Sequence, residues 1–303
     1  MNTTRMQRYG KHGTIGAIAQ IVVIESLPVH DKKTGRLVRE DLEPIALPYG
    51  SSLQIHFKSA RDADEFEFLL RELCAYVELS GRAPCLHIEC HGNRDGLGLA
   101  DGSWFPWSRL KPLTTALNLA SRMNLFLVLA CCYGGFFAAE CRPDETAPFA
   151  WIMGLGREIY PDPLFAFTGA FYAELLRTRD VTQALTVSGG AAADISYFSM
   201  SAVGIFRLAL EARIRGGDSI TKYRERAEAI AHTLRDNGHP SPPSVTEVEA
   251  TLRGLEPSIF RQWRRRFFAL DRFSANENRF AVSYEEVLSQ VIPEQTDRGI
   301  SPQ

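Results

Sequence analysis

Two apolar rhythms alternate along the first two-thirds of the chain. One is a continuous or every-second-residue run, as in strands. The other recurs every three or four residues, as in helices. Residues 15–25 are apolar and rich in β-branched side chains, which predicts a buried strand. The basic Arg5, Arg8 and Lys11 ahead of them would also suit a signal peptide, but Gln20 interrupts the run and the valines and isoleucines favour the strand. Residues 28–50 carry Pro, Gly and charges and are expected to be an irregular excursion. A short strand over 53–57 follows. A helix over 62–79 comes next, with Phe66, Leu69, Leu70, Leu73, Tyr76 and Val77 on its stripe and Asp62 or Asp64 as cap.

Residues 84–90 read as a strand that ends in His91-Gly92. A small hairpin through Leu97, Leu99, Asp101-Gly102 and Trp104 comes next, then a helix over 109–122. Residues 125–130 are nearly all apolar, as a strand covered on both faces must be, and run into Cys131-Cys132-Tyr133-Gly134-Gly135. A strand over 149–153 and helices over 162–177 and 181–192 complete the alternation. Past residue 203 only helical spacing remains, over 203–214, 221–236, 246–255 and 258–270, with Leu208, Leu210 and Ala212 assigned to one apolar stripe and Phe260, Trp263, Phe267 and Leu270 to another. The expected architecture is an α/β sandwich with a mainly parallel central sheet flanked by helices over 1–202, and a helical extension over 203–303.

Composition narrows the function. Hydrophobic residues are 45% and charged residues 23% of the 303, enough for a full core. A net charge of -2 gives no overall attraction to nucleic acid or an anionic membrane, and no apolar run reaches the roughly 18 residues of a spanning helix. The basic-aromatic run at 261–268 is read as an amphipathic helix with a solvated basic face. The six cysteines are too sparse for a disulfide scaffold, and free thiols in a reducing, cytoplasmic compartment are expected.

Reactive residues stand at two predicted strand ends, where parallel sheets gather their functional groups. LHIECHG (86–92) places His91 at one tip and LACCYGG (129–135) places Cys132 at the other. A cysteine attacks as thiolate, an imidazole can withdraw its proton, and backbone amides near Gly92 and Cys132 can hold an oxyanion. Glu89 and Asp95 flank His91 and could favour a basic residue before a scissile bond. Cys85, His87, Glu89 and His91 share one strand face, but residues two apart on a strand are about 6–7 Å apart, too spread for one tetrahedral ion, so no metal is assigned.

A hydrophobic strand, His-Gly, a hairpin, a helix, a second strand and Cys-x-Gly, in this order, resemble the CHAT-type branch of the caspase-like cysteine peptidases. GLGLADG (96–102), FYAELL (171–176) and QAL (183–185) look like further motifs of that branch, and the resemblance covers about residues 50–195. It implies Cys132 as nucleophile, His91 as general base and Gly92 in the oxyanion hole, with no cofactor. Cys131 departs from the Ala or Ser usual before the nucleophile and is the alternative sulfur. The implied partners are a protein substrate, such as a gasdermin-like pore-forming protein in bacterial defence or regulated cell death, and an activating protein. No nucleic acid or membrane is implied. The other reading of the same residues is an inactive caspase-like interaction module.

Overall fold

The computed structural model describes residues 18–191, 196–217 and 220–291. Two compact units divide it: one holds the chain up to Arg142 and from Thr146 to Ile205, the other Pro143–Glu145 and the chain from Phe206 onward.

The first unit is an α/β layer structure. Its sheet contains β1 (Gln20–Ser26), β2 (Gln54–Ser59), β3 (Pro84–Gly92), β6 (Phe126–Ala130), β7 (Trp151–Leu155) and β8 (Tyr197–Ser201), in the spatial order β2-β1-β3-β6-β7-β8. All neighbours on this path are parallel except β7 and β8. The hairpin strands β4 (Gly96–Gly98) and β5 (Trp104–Pro106) lie off the path, β4 pairing with the end of β3. Residues 15–17 of the predicted first strand lie outside the described residues, and so does residue 192 of the helix predicted over 181–192.

Alternate strand residues serve opposite faces. Ile21 and Val23 of β1, Cys85 of β3 and Phe126 and Val128 of β6 pack against α1 (Thr34–Ala46), α4 (Pro161–Thr178) and α5 (Val181–Ala191). Val22 and Ile24 face the other way, toward Leu69 and Leu73 of α2 (Ala63–Ser80). Helix α3 (Trp107–Ala120) packs beside α2. Asp62 caps α2 by accepting from the amides of Asp64 and Glu65, and Gly81 ends it at φ 67°.

The bounds and types of some expected elements need correction. Residues 28–50 are not irregular throughout, since α1 fills 34–46 and buries Val38, Leu42 and Ala46 one turn apart. The charges between those positions occupy the solvent face, and Pro44 is tolerated near the end. Strand β8 went unpredicted because it is a short edge strand with serines at Ser199 and Ser201. Trp151 ties it to β7 by donating its indole N–H to Ser199 Oγ at 2.8 Å. The helices expected over 246–255 and 258–270 are one, α8 (Val245–Phe267), with Pro257 inside it. A capping box at Ser244 and Glu247 starts it, and buried Val248, Phe260 and Phe267 on both sides of Pro257 outweigh one missing hydrogen bond.

The second unit contains most of α6 (Ala202–Ala212), then α7 (Ile220–Asp236), α8, α9 (Asn276–Arg279) and α10 (Tyr284–Val291). The apolar set assigned to residues 208, 210 and 212 does not form one face, because a spacing of two is not helical. Leu210 is buried, whereas Leu208 is half-buried and Ala212 exposed. Phe206 instead anchors the cluster, its ring 5.2–5.5 Å from those of Phe260, Phe267 and Phe268. Trp263 is half-buried under the Arg213 guanidinium. Among the described residues no helix is long and apolar enough to cross a membrane.

Candidate active site

The sheet order reverses direction at β1: the chain steps outward to β2 and then returns on the other side of β1 to form β3. In open parallel sheets the crevice beyond the carboxyl ends at such a point is where ligands bind. His91, at the tip of β3, borders that crevice, and Cys132 stands at the tip of the next strand, β6. The last register pair joining β3 and β6 is Glu89 with Ala130, and each candidate lies two residues beyond it. Strand β3 is buried from Pro84 through Cys90, and His91 is the first side chain to emerge. Strand β6 is buried throughout, Cys131 remains buried at 2% exposure, and Cys132 is half-buried.

Gly92 brings the two tips together. A Cβ there would lie 2.5 Å from the Cys132 carbonyl oxygen and 3.1 Å from both Cβ and Sγ of Cys131, so only glycine admits this approach. Beyond Cys132 the chain turns at once. Tyr133 adopts φ 60°, and Gly134 donates its amide to the Cys131 carbonyl at 3.1 Å. A Cβ on Gly134 would sit 2.7 Å from the Leu129 carbonyl, which explains the glycine after the turn.

The imidazole and the thiol are not bonded to each other. His91 Nε2 lies 2.6 Å from Asp31 Oδ2, and the Cys132 thiol donates to the Ile159 carbonyl at 3.9 Å. Burial pushes the Cys132 thiol above its ordinary range, helped by the neighbouring Cys131 and the Glu158 carboxylate and opposed by the Ile159 contact. The resting group is therefore a neutral thiol. Cys90, enclosed beside Cys131, is raised well above the usual thiol range, chiefly by burial.

Asp31 is the residue that sequence reasoning missed, because it lies in the 28–50 stretch set aside as irregular. Its loop is built. Lys33 Nζ donates to the carbonyls of Leu27 and Pro28, both at 2.6 Å. The Asp31 amide donates to Pro28, and Thr34 Oγ1 donates to Glu89. A second missed residue is Arg94, whose guanidinium lies 5.6 Å from the Tyr133 ring centroid and 5.4 Å from that of Phe136, beside the cysteine turn.

Glu89 is not a surface specificity group. It is 3% exposed, and its oxygens meet His87 Nε2 at 2.7 Å and the Thr34 hydroxyl, so it cannot reach a substrate. His87 Nδ1 in turn meets the Tyr172 hydroxyl at 2.9 Å, and burial pushes that phenol well above its usual range. This chain of polar groups ties β3 to α1 and α4 inside the fold. Asp95 is exposed, and its backbone amide donates a turn bond to Asn93 Oδ1 at 2.7 Å. Cys85, His87, Glu89 and His91 do not converge: the first three belong to the buried network and His91 points to Asp31. Among the described residues no three His, Cys, Asp or Glu side chains gather as a metal would require.

No protein-family model matches this chain, and none of the curated proteins matches it.

Proposed function

We propose that this protein is a cysteine endopeptidase of the caspase-like, CHAT-type class, acting on a protein substrate in a reducing, cytoplasmic setting. The observation that carries the reading is the meeting of a half-buried Cys132 and an exposed His91 at the tips of adjacent parallel strands, with Gly92 packed on the Cys132 carbonyl. With Nε2 held by Asp31, His91 Nδ1 takes the thiol proton as Cys132 sulfur attacks the peptide carbonyl. The backbone amides of Gly92 and Cys132 receive the oxyanion. The imidazolium then returns the proton to the leaving amine, and water hydrolyses the acyl-enzyme. Asp31 orients the ring and steadies its positive form. Burial of Cys131 supports Cys132 as the attacking sulfur. Exposed Glu158 and Asp95 border the strand ends and favour a basic residue before the scissile bond. A gasdermin-like pore-forming protein is a substrate of the right kind, and a protein partner that draws the thiol and imidazole together is the proposed activator.

The inactive interaction module has one observation in its favour, which is that the thiol bonds to Ile159 rather than to His91. A peptide bearing a cysteine-directed acyloxymethyl ketone separates the two. Labelling at Cys132 that is lost in His91→Ala supports the peptidase. Absence of labelling, or labelling indifferent to His91, supports the module.

A further inference from the structure

Helix α1 has no cap of its own. Lys33 stands at its N-cap without a side-chain bond to the first turn, and that turn carries no acidic residue. Two carboxylates from the sheet serve instead. Glu25 of β1 and Glu89 of β3 are register partners, both buried, and both meet the start of the helix. Glu25 Oε2 accepts from the Arg36 amide at 3.2 Å, and Glu89 Oε1 accepts from the Thr34 hydroxyl. Orphan amides and the positive end of the helix dipole favour negative charge at this place. Gly35 lets the turn settle on the two acids: a Cβ there would lie 3.1 Å from Glu25 Cβ and Oε2 and 3.2 Å from Glu89 Cβ.

The same strand holds the other end of this segment. His91 follows Glu89 by two residues on β3 and meets Asp31 through Nε2 at 2.6 Å. Residues 31–34 are thus clipped to β3 at both ends, by His91 to Asp31 on the outside and by Glu89 to Thr34 within. Between the clips the backbone is tightly bent, the Asp31 amide donating to the Pro28 carbonyl and the Thr34 amide to that of Lys32. The outer clip is open to water, with the His91 side chain 59% and the Asp31 side chain 37% exposed, and such a contact adds little by itself. Its persistence depends on how much freedom the carboxylate retains, and the inner clip is what removes that freedom. Thr34 and Glu89 are too buried to touch a substrate, so any effect they have on the site passes through Asp31.

We infer that Thr34 and Glu89 are positioning residues, whose buried contact holds the Asp31 carboxylate on His91 Nε2. The catalytic consequence rests on the peptidase reading; the placement of the His91 ring does not. Thr34→Val removes the hydroxyl with little change of shape, and Thr34→Ser keeps it. Thr34→Ala also removes it but sets no extra methyl against the carboxylate, so it stands in where Thr34→Val does not fold, as thermal melts establish first. One readout is the proton–carbon correlation signals of the His91 ring at a fixed pH, assigned by their loss in His91→Ala. Asp31→Ala marks where they fall once the carboxylate is gone. In the folded variant without the hydroxyl they should move toward the Asp31→Ala positions, and in Thr34→Ser they should stay with the wild type. The other readout is peptide cleavage. Loss of the hydroxyl should lower kcat about tenfold with KM little changed, and Thr34→Ser should cleave as the wild type does. In an Asp31→Ala background the same loss should cost nothing further, since residues that act as one unit are not additive. Ring signals that stay in place, an unchanged kcat in an active protein, or a loss that recurs in full in the Asp31→Ala background would overturn the inference. A chain that cleaves no peptide yet shows the expected ring shifts would remove the peptidase reading and leave the positioning of His91 standing.

Discussion

Gly92→Ala tests the contact on which the strand-end site rests. The added Cβ would lie 2.5 Å from the Cys132 carbonyl oxygen, with Cys131 Cβ and Sγ both at 3.1 Å. Ordinary contact would need a displacement of about 0.5–1 Å, and the nearest atom is backbone, which cannot swing away as a side chain tip does. Overpacking of this kind costs about 1–3 kcal/mol. For a unit of this size that corresponds to a fall in melting temperature of about 2–4 °C per kcal/mol. Because the displaced atoms belong to the proposed nucleophile, turnover should fall by about a hundredfold, the usual cost of a 1 Å error in placement. Gly169→Ala in α4 is the control: its added Cβ would meet only Asp41 Oδ2, at an ordinary contact distance of 3.7 Å. The assay is a thermal melt of both variants beside cleavage of a fluorogenic peptide library. If Gly92→Ala melts with the wild type, the two strand tips do not meet as described. If it melts lower yet cleaves normally, the tips meet but Gly92 has no part in catalysis.

Asp31→Asn should lower kcat by roughly tenfold to a hundredfold with KM little changed; an unchanged kcat would remove Asp31 from the mechanism. Burial chiefly raises the Glu25 pKa, with nearby Glu89 adding to it. An acid raised in the folded state contributes stability below its unfolded pKa and loses it as pH rises through the folded value. Glu25→Gln should therefore gain on the wild type in melting temperature as the pH is raised from about 4 to 7, and a constant difference would contradict that burial. In the second unit, Phe206→Ala should cost about 3–5 kcal/mol, because the ring is 1% exposed and meets three other phenylalanines; a loss below about 1 kcal/mol in denaturant melts would show that the cluster is not packed.

The sequence made the central strands and the two strand tips readable because burial on both faces leaves an apolar run with little else to signify. Residues 125–130 could hardly be anything but an interior strand, and the polar or reactive residue at the end of such a run marks where the sheet opens. What escaped had its cause in a partner distant along the chain. Helix α1 looked irregular because Pro44 and the charges of 39–43 mask three buried positions, and those positions matter only against α4 and the sheet. Asp31 was hidden with it, since nothing within 28–50 announces that one of its carboxylates will meet an imidazole 60 residues on. Glu89 failed in the opposite direction. Its place beside His91 suggested a substrate contact, but strand alternation and the Thr34 hydroxyl enclose it with His87. Past the end of β6 the chain bends and the vicinal cysteines part, Cys131 lying beside Cys90 in the interior and Cys132 at the opening. The choice between the two sulfurs, which spacing alone left to resemblance, thus acquires a physical ground: a nucleophile must be reachable, and of the pair only Cys132 has surface to offer.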